Sequence, residues 1–114
     1  MDISDASPQR FELGIERFLE GESLAYEGIV VYRSPSGVIE VDSYSQWEPE
    51  HATEQHAKER IARAKGVVAG IAARSEAFRQ EVARLPIEHL FCYDYGTGSF
   101  AIAKEVGGVL QWLR

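Results

Sequence analysis

HLFCYDYGTGSFAIAKEVGGVLQW, residues 89 to 112, decides the fold, because Gly96-Thr97-Gly98-Ser99-Phe100-Ala101 within it matches G-x-G-x-x-A after a β-prone run. A dinucleotide loop needs a helix from the second glycine, a following parallel strand and an acid about twenty residues further on. Only thirteen residues follow Ala101, AIAKEV is too short a helix before Gly107-Gly108, and no Asp or Glu lies beyond Glu105. The βαβ unit cannot be built. A hairpin needs only two alternating strands with glycines between them. Phe91, Tyr93 and Tyr95 alternate with Leu90, Cys92 and Asp94; Phe100 and Ile102 alternate with Ser99, Ala101 and Ala103. Gly96 and Gly98 suit a tight turn, and Gly107-Gly108 turns the chain again into VLQWL. A three-stranded antiparallel meander is expected.

Upstream, Ala57, Ile61, Ala64, Val68, Ile71, Ser75, Phe78, Val82 and Leu85 recur at spacings of four and three, and only Ser75 breaks the apolar seam. The spacing predicts one helix over residues 50 to 84, opened by Glu48-Pro49-Glu50 and stopped by Pro86. Such a helix is roughly 50 Å long, so a bend is expected at Gly66 or Gly70. Gly66-Val67-Val68-Ala69-Gly70 matches G-x-x-x-G, but the charges of Lys65 and Arg74 exclude a membrane dimer face; close packing of helix on sheet is the expected reason for its glycines. The seam also suits a homodimeric coiled coil, although its alanines make narrow knobs.

Nearer the N-terminus, YEGIVVYR is rich in β-branched and aromatic residues, Ser34-Pro35-Ser36-Gly37 breaks it, and VIEVDSYSQW follows, so a hairpin is expected. In its second strand Ile39 and Val41 share one face while Glu40, Asp42 and Tyr44 share the other. PQRFELGIERFLE, residues 8 to 20, sets Phe11, Ile15 and Phe18 on one helical face with Leu19 beside them, capped by Ser7-Pro8 and stopped by Gly21. Gly14 in its middle costs about 1 kcal/mol relative to alanine. The fold class is α+β: one antiparallel sheet of five strands, an N-terminal hairpin plus a C-terminal meander, packed against one long helix and a short N-terminal helix.

Length and composition fit one domain, 114 residues long, 45% hydrophobic and 26% charged. The lone Cys92 excludes an internal disulfide and any multi-cysteine zinc site. A reducing, cytoplasmic setting is expected. The N-terminus lacks a basic region followed by an apolar run, and no apolar stretch is long enough to cross a bilayer. Net charge is −6, unevenly spread: residues 1–50 hold eleven acids against Arg10, Arg17 and Arg33, whereas residues 51–86 hold four acids against seven bases. Such an acidic half repels phosphate backbones and attracts basic partners, so nucleic acid is not expected as a ligand.

Groups able to do chemistry are few. His51 and Glu54 form an i, i+3 pair, but HATEQH is not H-E-x-x-H and His56 is turned away, so no metal is expected. His89, Cys92 and Asp94 suggest a nucleophile, base and orienter, yet strand alternation separates His89 from the other two. Helix cations Lys58, Arg60, Arg63, Lys65, Arg74, Arg79 and Arg84 are read as a solvated face, supported by Glu54–Lys58, Glu59–Arg63 and Glu76–Gln80 pairs. No cofactor is implied.

The functional expectation is a protein-binding inhibitor or adaptor that covers a basic partner, with Glu40, Asp42, Tyr44 and Trp47 as its contact surface. Bacterial toxin-neutralising immunity proteins are the concrete version, which the chain resembles in size and charge only. The alternative is a small-ligand-binding or enzymatic domain with a pocket between helix and sheet, where Cys92, His51 or His56 supplies the polar group.

Overall fold

The computed structural model describes residues 2–43, 54–94 and 100–113. Helix α1 (Pro8–Leu19) precedes strands β1 (Leu24–Tyr26), β2 (Ile29–Arg33) and β3 (Ile39–Ser43). Helices α2 (Glu54–Arg74) and α3 (Glu76–Arg84) follow, then strands β4 (Ile87–Asp94), β5 (Phe100–Val106) and β6 (Val109–Leu113). The protein is α+β, and its six strands form one sheet in sequential order, antiparallel at every pairing except β3 with β4.

Three expectations are corrected. The first concerns the strand count: YEGIVVYR is not one strand but the end of β1, a turn and β2. Glu27 and Gly28 both adopt positive φ, 50° and 76°, the mirror-image geometry that matches strand twist in a two-residue hairpin. The sheet therefore has six strands rather than five. The second concerns direction. Ile39, Glu40, Val41 and Asp42 pair in parallel with Ile87, Glu88, His89 and Leu90, so hairpin and meander are joined by a helical crossover instead of an antiparallel pairing.

The third correction is the long helix. A single helix of about 50 Å would outrun a molecule whose longest dimension is 42 Å, and the chain breaks it at the one residue that interrupts the seam. Ser75 takes an extended conformation, φ −141° and ψ 114°, and its Oγ accepts from Phe78 N–H at 3.2 Å. Its own N–H donates to Ile71 O at 3.1 Å, while Arg79 N–H donates to Ser75 O at 3.0 Å, so backbone bonding continues through the break. Gly66 and Gly70 stay inside α2, and no described atom lies within 4 Å of where a Cβ would sit on either. Close packing of another element therefore does not explain them.

The start expected at Glu48-Pro49-Glu50 lies outside the described residues, and the described parts of both helices follow the expected faces. Ser7 caps α1 ahead of Pro8, and Gly21 follows at φ 110°. Phe11, Ile15 and Phe18 are buried, as are Ala57, Ile61, Ala64, Val68, Ile71 and Phe78 along the seam. That seam packs into the core of its own chain, together with Ile29, Val31, Ile39 and Val41. The meander is also as expected: β4, β5 and β6 are consecutive antiparallel neighbours, with Gly107 and Gly108 at φ 58° and 83° in the second turn. The first turn, with Gly96 and Gly98, lies outside the described residues.

The first residues, for which no role was expected, close the structure at β1. Ile3 is buried, its N–H donates to Ala25 O at 2.9 Å, and its Cδ1 lies 2.6 Å from where a Gly14 Cβ would be. Gly14 thus leaves α1 room for a crossing chain. Asp2 Oδ2 accepts from Gly28 N–H at 2.7 Å, and Arg63 donates to Glu27 O at 2.6 Å, so the positive-φ turn is held from two sides. Arg74 stacks over Phe11, 3.9 Å from the ring centroid, and donates to Ser4 O and Tyr26 Oη. Two cations read as solvated are therefore structural ties, while the Glu76–Gln80 bond is present as expected, at 3.2 Å.

Ser75→Ala should destabilise the chain by about 1–2 kcal/mol, since it removes a buried cap at the only joint between α2 and α3. Gly66→Ala should stabilise it by up to ~1 kcal/mol, because propensity rises with no contact to disturb. Urea unfolding midpoints check both; equal midpoints for the three chains contradict this account of the joint.

Candidate functional site

Alternation on β3 sends Ile39 and Val41, both fully buried, toward the helices and leaves Glu40 and Asp42 on the opposite face of the sheet. Lateral neighbours follow from the register. Glu40 lies between Tyr32 of β2 and Glu88 of β4; Asp42 lies between Val30 and Leu90. The parallel joint thus brings Glu88 beside Glu40 across 48 positions of sequence, and Glu40, Asp42 and Glu88 share one patch of the outer face. Lys104, opposite Leu90 on β5, reaches diagonally to form an ion pair with Glu88. The patch thus gathers three carboxylates, one of them paired with Lys104.

Of the surface expected from sequence, Glu40 and Asp42 are on one face as anticipated, and both are half-buried. Tyr44 and Trp47 lie outside the described residues, as do His51 and Tyr95. Glu88 and Lys104 were missed, and the available signal was the crossover itself: a hairpin, two helices and a further strand make β3 and β4 parallel neighbours whose alternating residues align.

The inner face changes character along the same register. Leu24, Val31 and Val41 continue laterally into His89, Glu105 and Leu110. His89 is buried, and Lys65 of α2 spans down to Glu105 at 2.6 Å. Burial lowers the His89 pKa, Glu105 opposes that shift, and Lys65 adds to it. Burial thus favours the neutral imidazole beside an ion pair. Cys92, at a position of opposite parity on β4, pairs its backbone with Ile102 rather than joining this row.

Two surface hollows lie along α1. One, of about 360 Å³, lies between α1 and β1 and is lined by Ile3, Arg10, Leu13, Arg17, Glu22 and Leu24 among others; the second follows Pro8, Glu12, Leu13 and Glu16 on α1. Among the described residues no three His, Cys, Asp or Glu side chains are grouped to hold a metal, and no helix is long and apolar enough to cross a membrane.

Comparisons with family models, with curated proteins and with solved structures found no match to this chain.

Among the described residues, Asp2 and His89 carry shifts that act between acid and neutral pH. At Asp2, burial raises the carboxyl pKa, but bonds from the Ser4 hydroxyl and from the Gly28, Ser4 and Glu27 amides outweigh it and hold the value at about 2. A depressed carboxyl contributes stability above its ordinary value of 3.8 that is lost as pH falls through about 2. A depressed histidine also loses stability on acidification, beginning near its ordinary value of 6.5, because the unfolded chain takes up the proton first. The stability difference between wild type and His89→Gln should therefore shrink between about pH 7 and about pH 5. Urea titrations at both pH values test this, and a constant difference means His89 does not titrate differently in the two states.

Proposed function

We propose that the protein is an acidic binding domain that covers a basic partner with the outer face of its sheet, acting as an inhibitor or adaptor of the kind immunity proteins represent. The observation that carries this reading is the joint placement of Glu40, Asp42 and Glu88 on one face of the sheet, set there by the parallel pairing of β3 with β4. A sheet holds carboxylates at fixed spacing, so their field steers a cationic surface into register with little ordering cost on this side. Tyr32, half-buried beside Glu40, supplies an aromatic group with a polar tip at the same place. Uneven charge along the chain supports the same direction of approach, because the acid-rich residues 1–50 include β1, β2 and β3.

The competing reading is a ligand-binding or enzymatic domain between helices and sheet. Its support is the buried His89 beside the Lys65–Glu105 ion pair on the inner face of the sheet. The acidic face is the better supported site.

Immobilised protein should capture a basic protein from a cytosolic extract at low salt and release it as salt rises. Glu40→Lys should slow association with that partner roughly tenfold or more at low salt, with a smaller effect near physiological ionic strength. Rates that ignore both the substitution and the salt mean that this face is not the contact surface.

A further inference from the structure

The two edges of the sheet are treated differently. At one, β1 is only three residues long, and its Ala25 is bridged to Asp2 and accepts from Ile3 N–H. At the other, β6 pairs with β5 alone among the described residues. Its sequence, Val-Leu-Gln-Trp-Leu, contains no charge and no proline, so it lacks the usual devices that keep an edge from pairing. Val109 is 60% exposed, Val106 38%, and Gln111 is exposed as well.

The hairpin fixes which backbone groups this edge offers. Val106 and Val109 close the two-residue turn, and the closing pair of such a hairpin exchanges both hydrogen bonds, with bonded pairs recurring at every second residue. Val109, Gln111 and Leu113 accordingly direct their amide and carbonyl groups toward β5. Leu110 and Trp112 direct theirs outward.

We propose that β6 pairs antiparallel with β6 of a second copy, about a two-fold axis at Gln111, so that two six-stranded sheets become one of twelve. In that register Leu110 bonds with Trp112 of the second copy and Trp112 with its Leu110, which uses every outward group of both residues, while Gln111 faces Gln111. Charge selects a second copy as the occupant. A chain of net charge −6 repels itself, but eleven of its acids lie in residues 1–50, and residues 87–114 hold three acids and two bases. β6 lies three strands beyond β3, about 14 Å away, so the copies meet at the end of the sheet where repulsion is weakest. Self-pairing also opposes no like charges, since Val109 meets Leu113 and Leu110 meets Trp112. With the β1 edge bridged by Asp2, this two-fold contact closes on itself instead of propagating into a fibre.

Sedimentation equilibrium on the wild-type chain, Gln111→Lys and Gln111→Glu tests the pairing. The wild type should dimerise, and each variant alone should dissociate roughly tenfold more readily, because two like charges then face each other on the axis. An equimolar mixture of the two variants should recover the dimer as a heterodimer, an outcome that loss of folding cannot produce. A wild-type chain that remains monomeric overturns the proposal, whatever else binds the edge. So does a dimer that both substitutions leave intact, or a variant mixture that fails to reassociate while circular dichroism shows both chains folded.

Discussion

The parallel pairing of β3 with β4 is the constraint on which the rest of the structure depends. Parallel neighbours begin at the same end of a sheet, so the chain leaving Ser43 has to travel back the length of a strand before Ile87 can pair with Ile39. Two helices of unequal length, meeting at Ser75, occupy that return path. The first bond of the joint comes from outside the ladder: Ile39 N–H donates to Pro86 O at 2.7 Å, in the residue just before β4. With the joint made, hairpin and meander become one surface, and their apolar residues face one helical layer. Glu40 and Glu88 become neighbours on one side for the same reason that Val41 and His89 do on the other.

A second set of contacts ties the joint to the helices at the same end. Arg33 ends β2 on the core face, where its Nη2 lies 3.1 Å from Glu81 Oε1, its Nη1 donates to Leu19 O, and its guanidinium rests 5.4 Å from the Phe18 ring centroid. Phe18 in turn lies 5.4 Å from Phe78. One arginine therefore links α1, β2 and α3 around the aromatic contact that fills the space beside the Ser75 break. A pair with Glu81 in this partly buried setting is screened less than a surface pair, and its energy is shared with packing of the guanidinium on the ring.

Elements held by local chemistry were legible in the sequence, and those held by distant partners were not. The seam from Ala57 to Leu85 announced both its burial and, in Ser75, its fault, but periodicity alone cannot tell a tolerated serine from a cap. Deciding between them needs the length of the molecule, which a 35-residue helix would exceed. The Glu27-Gly28 turn was hidden because Glu lacks the left-handed preference of Asn or Asp; Asp2 and Arg63 hold that turn from 26 and 36 residues away. At the acidic site, Glu40 and Asp42 followed from period-two alternation within a strand. Glu88 did not, since its place is set by strand direction, and only the crossover fixes direction.

Along the strand order, the chemistry of the sheet is graded. The hairpin end carries most of the acids and rests on a fully apolar inner row; at β4 and β5 the inner row becomes His89 and Glu105, tied to the helix layer by Lys65; β6 is uncharged throughout. That grading has a physical cause in coverage. The helices α1 and α3 meet beside the hairpin, where Phe11, Phe18 and Phe78 exclude water, whereas Lys65 remains half-exposed over the meander and admits it. A histidine at the border of the two regions can be buried without being deprived of polar neighbours. The sheet thus divides its work: the end resting on Phe11, Phe18 and Phe78 displays charge on its other face, and β6 at the opposite edge carries no charge to keep a further strand away.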